Sequence, residues 1–391
     1  MMTSVPLEGK TTSVKISLVI LAAMGIMSGI AIVASLPLIS LTFSDVEHID
    51  FLSKLLLTLP SFVIALLAPI SGIIVDKIGR LKPLYFGVTL FVIAGSSGFY
   101  IENFYLLLLR RALLGVGVAF IMTASMALIG DYFEEKERHQ FISLQGMVVG
   151  LSGIVFILSG GFLAEIAWNF PFLIYLLPLL FLPLILKSLY EPEVVSHKET
   201  SEVQTTPTKL FLVYFIGFFS MLLFYMLPTQ LPYLVIEELG GSPSEISYFI
   251  ATAMFVNAMV AKQYHHLKKR FSYAQIFMIT YFSFGIGLLI ISQVSLVVQL
   301  FGASLFMGIG FGLVIVNINM WLLSLVEPTR RGRAIGMLTS SFFLGQFLSP
   351  ILLQPIVSAV GIQGLFFVIS LLSFVIAIGL LIKTKYFVSK A

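Results

Sequence analysis

Twelve apolar runs follow one another along this chain, and no other property of the sequence restricts its fold so strongly. They lie at about 16 to 40, 51 to 75, 83 to 101, 104 to 130, 140 to 166 and 170 to 188, then at about 209 to 235, 246 to 263, 273 to 293, 297 to 325, 335 to 358 and 364 to 382. A helix crossing the roughly 30 Å hydrocarbon layer takes about 20 residues, and each run is near that length. A membrane β-barrel would show short alternating segments instead, which are missing here. With 58% hydrophobic and 11% charged residues, the chain holds more apolar surface than a soluble core can bury. The fold class expected is an all-α membrane protein of twelve transmembrane helices. The first run is too long for a cleaved signal peptide and reads as a retained span. There is no cysteine, so disulfide and thiol chemistry are absent, and the sequence calls for no cofactor and no metal.

Orientation follows from the basic residues. With the amino terminus inside, every Lys and Arg except Lys54, Arg110 and Arg111 falls in or beside a cytoplasmic segment, a strong positive-inside bias. Both termini are then cytoplasmic in a multi-pass protein of the cell's inner or plasma membrane. The formal net charge of +4 is a consequence of topology, and nucleic acid is not expected as a partner. The long polar stretch EPEVVSHKETSEVQTTPTK reads as a flexible linker, residues 191–208, between bundles at 1–190 and 209–391. The halves repeat at about 190 residues. Laying DYFEEKERHQFISL on SLVEPTRRGRAIGM sets Arg138 on Arg331, and an offset of 189 sets Gly72 on Ala261, Asp76 on His265 and Arg80 on Lys269.

Between runs two and three lies GIIVDKIGRLKP. A cytoplasmic turn explains Lys77, Arg80 and Lys82, but the inside rule gives no reason for Asp76, which points to a partner such as a helix amino terminus. The spacing Gly72-x-x-x-Asp76-Lys77-x-Gly79-Arg80 resembles the signature loop of the major facilitator superfamily, with Leu81 where a second basic residue is usual. RRALLGVGVA fits that family's fourth-span pattern through Arg111, Gly115, Gly117 and Ala119, with Leu114 where Gln is frequent, and GDYFEEKER, ending in Arg138, fits the following loop. The resemblance implies twelve transmembrane helices in two pseudo-symmetric six-helix bundles that rock about a central site, with Asp76 latching the cytoplasmic side. Its partners would lie at the end of span four, near Asp131 and Arg138, or at the start of span eleven.

Ionisable groups inside spans are costly and mark pathways. Arg111 is the main one, and with Gly115, Val118, Met122 and Ser125 it shares one helical face. Further path candidates are Gln145 with Ser152 and Ser159, Tyr225 and Gln230 near Thr229 and Tyr233, Asn317, Asn319 and Trp321, and Gln346 beside Ser349. Asn317 and Asn319 point to nearly opposite sides of a helix, so one of them faces a cavity at most. Hydrogen bonding between helices, at about 0.6 to 2 kcal/mol each, accounts for any one of these equally well. Together they describe a neutral, aromatic-walled path suited to a small, partly apolar organic solute. No carboxylate falls at a span centre, whereas many proton-coupled relatives carry one; the coupling candidates are Glu165, set to face Arg110 or Arg111, and Asp131. Drug antiporters of the superfamily often place Gly-Pro in span five where this chain has Phe156 and Ile157.

These features predict a secondary active transporter and not an enzyme, working as a monomer in the lipid bilayer. Efflux by proton antiport is the first reading; uptake by a symporter or uniporter, or lipid flipping, are the alternatives. No phosphate-binding Gly-x-x-x-x-Gly-Lys-Ser/Thr loop occurs, and His265 and His266 are adjacent and splay apart on a helix, which makes them poor co-ligands.

Overall fold

A computed structural model describes residues 7–192, 207–327 and 331–387; most of the stretch read as a linker, 193–206, lies outside them. Among the described residues every element is helical. In a bilayer this follows from the backbone, because a helix satisfies its own N–H and C=O groups where water cannot. The α-helices are α1 (Leu7–Ile30), α2 (Leu36–Thr42), α3 (Ile49–Ile78), α4 (Leu81–Gly95), α5 (Phe104–Tyr132) and α6 (Glu135–Ile166). They continue with α7 (Leu177–Ser188), α8 (Pro207–Tyr233), α9 (Pro243–Lys268), α10 (Tyr273–Ser292), α11 (Leu300–Leu325) and α12 (Arg331–Phe387).

Ten stretches are long and apolar enough to cross a membrane. The last, Arg333–Leu381, has 49 residues, about 74 Å of helix and more than two bilayer cores deep. It breaks at Gly361, whose φ of 77° disfavours any side chain, so it supplies crossings eleven and twelve. Helix α4, continued by a 3-10 turn at Ser96–Phe99, supplies crossing three. Among the described residues the total is twelve, six in each half.

The chain divides into two compact units, Met1–Lys198 and Glu199–Ala391. In unit 1, α1 packs on α5, α6 and α7, while α3 and α4 both pack on α5. Crossing one is interrupted at Val33–Ser35 before α2, which has Pro37 in its first turn, and nearby Gly160 of α6 lies against the Ala31 carbonyl with no room for a Cβ. In unit 2, α8 packs on α11 and α12, and α9 and α10 both pack on α11.

Glycine contacts fix the register between the units. Gly115 lies on Pro60 and Val63, and Gly308 on Ala253 and Val256; Gly117 lies on Phe91, and Gly310 on Phe284. Each pair is 193 residues apart, Gly115 to Gly308 for example, which agrees with Arg138 on Arg331. The 189-residue offset drawn from the loop charges is therefore one helical turn short, and Asp76 belongs opposite Lys269 and Arg80 opposite Tyr273. Solvated charges tolerate a slip of one turn, whereas a glycine pressed on a neighbouring backbone does not.

Candidate functional site

Arg111 sits on α5, which begins where the Asn103 side chain accepts the Leu106 amide at 3.0 Å. Its side chain is 0% exposed. Nε donates to the Leu56 carbonyl of α3 at 2.7 Å, Nη2 to the Ser28 carbonyl of α1 at 2.6 Å, and Nη1 to the Tyr175 hydroxyl at 2.9 Å. Tyr175, on the 3-10 turn Phe170–Leu176, passes its own proton to the Ser28 carbonyl at 3.0 Å. One guanidinium thus joins crossings one, two, four and six. Its planar fork reaches three separate acceptors, which a compact ammonium cannot do. Among the described residues no carboxylate lies within ion-pair distance of it. Two backbone carbonyls and a phenol are the groups that solvate this buried positive charge. Gly115, Val118 and Ser125 continue the buried face, and Met122 turns toward Gly25. Arg110 is half-buried, and Glu165, on α6, is exposed and forms no ion pair with either arginine among the described residues.

The second cluster surrounds the α3–α4 loop. Arg80 is 8% exposed; its Nε meets Asp131 Oδ2 at 3.0 Å, at the end of α5, and its Nη1 reaches the Val75 carbonyl at 3.3 Å. Asp76, one turn back, lies 3.6 Å from Arg80 with its side chain 74% exposed. Arg80, rather than Asp76, is the residue that engages the end of span four. A carboxylate from far along the chain closes the group: Glu191 accepts the Arg80 amide at 2.5 Å and the Leu81 amide at 2.9 Å, capping the start of α4. Gly79 makes room for it. A Cβ there would lie 2.8 Å from Glu191 Oε1, and the φ of 95° already disfavours one. Next door the Tyr132 hydroxyl donates to the Tyr190 carbonyl and accepts its amide at 2.9 Å, and the two rings stack at 4.6 Å. Lys77 is exposed, Gly72 is near Thr123, and Arg138, half-buried at the start of α6, forms no ion pair with Asp76 or Asp131 among the described residues.

The neutral candidates spread over both units. In unit 1, Gln145 donates to the Leu18 carbonyl at 3.3 Å and so joins α6 to α1. In unit 2, Asn317 is fully buried, accepting the Tyr264 hydroxyl at 2.8 Å and donating to the Tyr273 carbonyl at 3.0 Å. Asn319 is half-buried and bonds the Ile315 carbonyl of its own helix, and Trp321 meets Phe277 edge to face. Gln230 is buried, Tyr225 is half-buried against Phe224, and Gln346 lies beside Met221 while Ser349 bonds the Leu222 carbonyl.

Known proteins carry the same organisation. The family model described as Major Facilitator Superfamily matches residues 16–214 and again 213–391. The chain belongs to the Major Facilitator Superfamily. Among its relatives, the vacuolar basic amino acid transporter 2 of Saccharomyces cerevisiae is 30% identical over 183 residues, 46% of this chain and 37% of that one. The multidrug transporter protein MdtP of Bacillus subtilis is 30% identical over 111 residues, 28% of this chain and 20% of that one. The chain thus spans less than half the length of these curated relatives. A bacterial homologue of the human lysosomal transporter Spinster, solved inward-facing and occupied, superposes with a TM-score of 0.79 at 16% identity over 98% of both chains. That likeness is one of fold.

Two residues of this superfamily chain escape sequence reasoning. Tyr175 reads as one aromatic among many, and Glu191 reads as linker. Neither has a local signal, because Tyr175 meets Arg111 across 64 residues and Glu191 meets Leu81 across 110.

Proposed function

We propose that the chain is a secondary active transporter that exports a small, partly apolar organic solute by alternating access, driven by proton antiport, from a bacterial-type inner membrane with both termini in the cytoplasm. The observation that carries this reading is the ionic loop of unit 1. Arg80 is fixed on Asp131 and Glu191 on the first amides of α4, while the Asp76 carboxylate remains largely exposed for a partner that changes with state. Such an element is two-state in character, as a gate requires. The likeness to MdtP favours export and a multidrug type of solute. Arg111 holds unit 1 together, while Tyr225, Asn319, Trp321 and Gln346, none fully buried, are the residues assigned to the path. Glu165 and Asp131 are assigned to the proton.

Reconstitution in proteoliposomes tests this reading directly. Flux of lipophilic organic compounds should appear across a panel and rise at least severalfold when a pH gradient is imposed. A panel with no flux at all defeats the transporter reading, and flux indifferent to the gradient defeats the proton.

A further inference from the structure

Helix α9 carries an outward stripe that changes character along its length. Tyr248, Phe255 and Met259 are 40%, 57% and 52% exposed, and Lys262, His266 and Lys269 are exposed beyond them. At 3.6 residues per turn, positions 255, 259, 262, 266 and 269 fall on one face, and they cover about 21 Å of helix. Exposed Arg270 and His265 flank the basic end, while Lys268 turns away over the Tyr273 ring at 4.0 Å.

Among the described residues this charge has no carboxylate partner. No Asp or Glu occurs between Glu245 and Glu327 in the sequence. Among the described residues, none of Lys262, His265, His266, Lys269 and Arg270 lies within 4.0 Å of a carboxylate. The matching loop of unit 1 is different, since Arg80 there has Asp131 and Asp76 around it. Apolar surface running into unpaired cations over about 21 Å has the dimensions of one lipid, acyl chain below and headgroup above. Basic residues at a membrane surface attract anionic lipid.

We propose that this stripe binds an anionic phospholipid, with Lys262, His266, Lys269 and Arg270 around the phosphate and its headgroup and Phe255 and Met259 along the acyl chain. The site is independent of any transported solute. The test uses the purified full-length chain, delipidated in detergent and titrated with phosphatidylglycerol or phosphatidylcholine, bound lipid being counted by native mass spectrometry. The parent should prefer phosphatidylglycerol by about tenfold, and the preference should fall with salt. Lys262→Gln with Lys269→Gln and Arg270→Gln should bring the ratio near one. Lys262→Arg with Lys269→Arg should keep it, as should Lys82→Gln with Lys187→Gln in unit 1. A parent without preference, or a triple variant that retains it, overturns the proposal. So does displacement of phosphatidylglycerol by an equal concentration of inorganic phosphate, which would assign the cations to a soluble anion. All the substituted side chains are exposed, so a stable fold is expected, and a melting curve for each variant checks it.

Discussion

At matched positions the two units share their contacts and differ in their chemistry. Where unit 1 buries Arg111, unit 2 has Ser304, equally buried but bonded only to the Phe301 carbonyl of its own helix. Where unit 1 has Ser71, bonded to Thr123 at 2.7 Å, unit 2 has Tyr264, whose hydroxyl donates at 2.8 Å to Asn317, one residue past the position that matches Thr123. Where unit 1 has Arg80 on Asp131, unit 2 has Tyr273, whose hydroxyl donates to the Met320 carbonyl at 3.3 Å. The glycine pairs Gly115 and Gly308, and Gly117 and Gly310, remain in register. At these matched positions, among the described residues, the loop's ion pairs lie in unit 1 and neutral hydrogen bonds stand in unit 2. Ion pairs respond to local charge and salt, and neutral bonds far less, so unit 1 is the more switchable copy.

The comparison breaks most directly at Arg111. Arg111→Ala takes the guanidinium donor from the Leu56 carbonyl, leaves the Ser28 carbonyl with the Tyr175 hydroxyl alone and opens a cavity, a loss of about 3 to 5 kcal/mol in unit 1. Flux in proteoliposomes should fall to background while the protein still inserts, and Arg111→Lys should not restore it. Ser304→Ala should change flux less than about twofold, since it removes one hydrogen bond within a single helix. Equal effects at the two positions would erase the asymmetry. A smaller effect is expected at the loop. Asp76→Asn and Asp131→Asn should each move the balance of inward-open and outward-open states by about tenfold, the equivalent of about 1.4 kcal/mol. Thiol labelling at cysteines introduced into this cysteine-free chain reads that balance, and unchanged labelling removes the latch. Smallest of all, Tyr264→Phe removes one buried hydrogen bond and should cost about 1 kcal/mol in denaturation without altering the labelling. If it shifts the labelling as much as Asp131→Asn does, the neutral copy switches too.

What the sequence shows and what it hides follow from range. Apolar runs are local and long, so the twelve crossings could be read off directly, and Arg111 stood out because a charge inside such a run is rare. Its acceptors could not be read, since two are backbone carbonyls, invisible to residue type, and the third is an ordinary tyrosine. Glu191 was hidden by its neighbours: a carboxylate opening a polar stretch looks like solvent-exposed linker until the start of α4 is brought beside it. The repeat was visible but its register was not, because Lys262, Lys268, Lys269 and Arg270 supply a charge near every trial alignment of the loop.

The seat of Arg111 also has an electrical consequence. A fixed positive charge enclosed by helices, with no carboxylate beside it among the described residues, senses the potential across the bilayer. Carrying one elementary charge through the whole field is worth about 2.3 kcal/mol per 100 mV. A tilt that shifts the guanidinium through about a tenth of that field changes the balance of states by about 0.2 kcal/mol per 100 mV. Voltage is therefore a gentle bias on unit 1 even when the solute carried is uncharged.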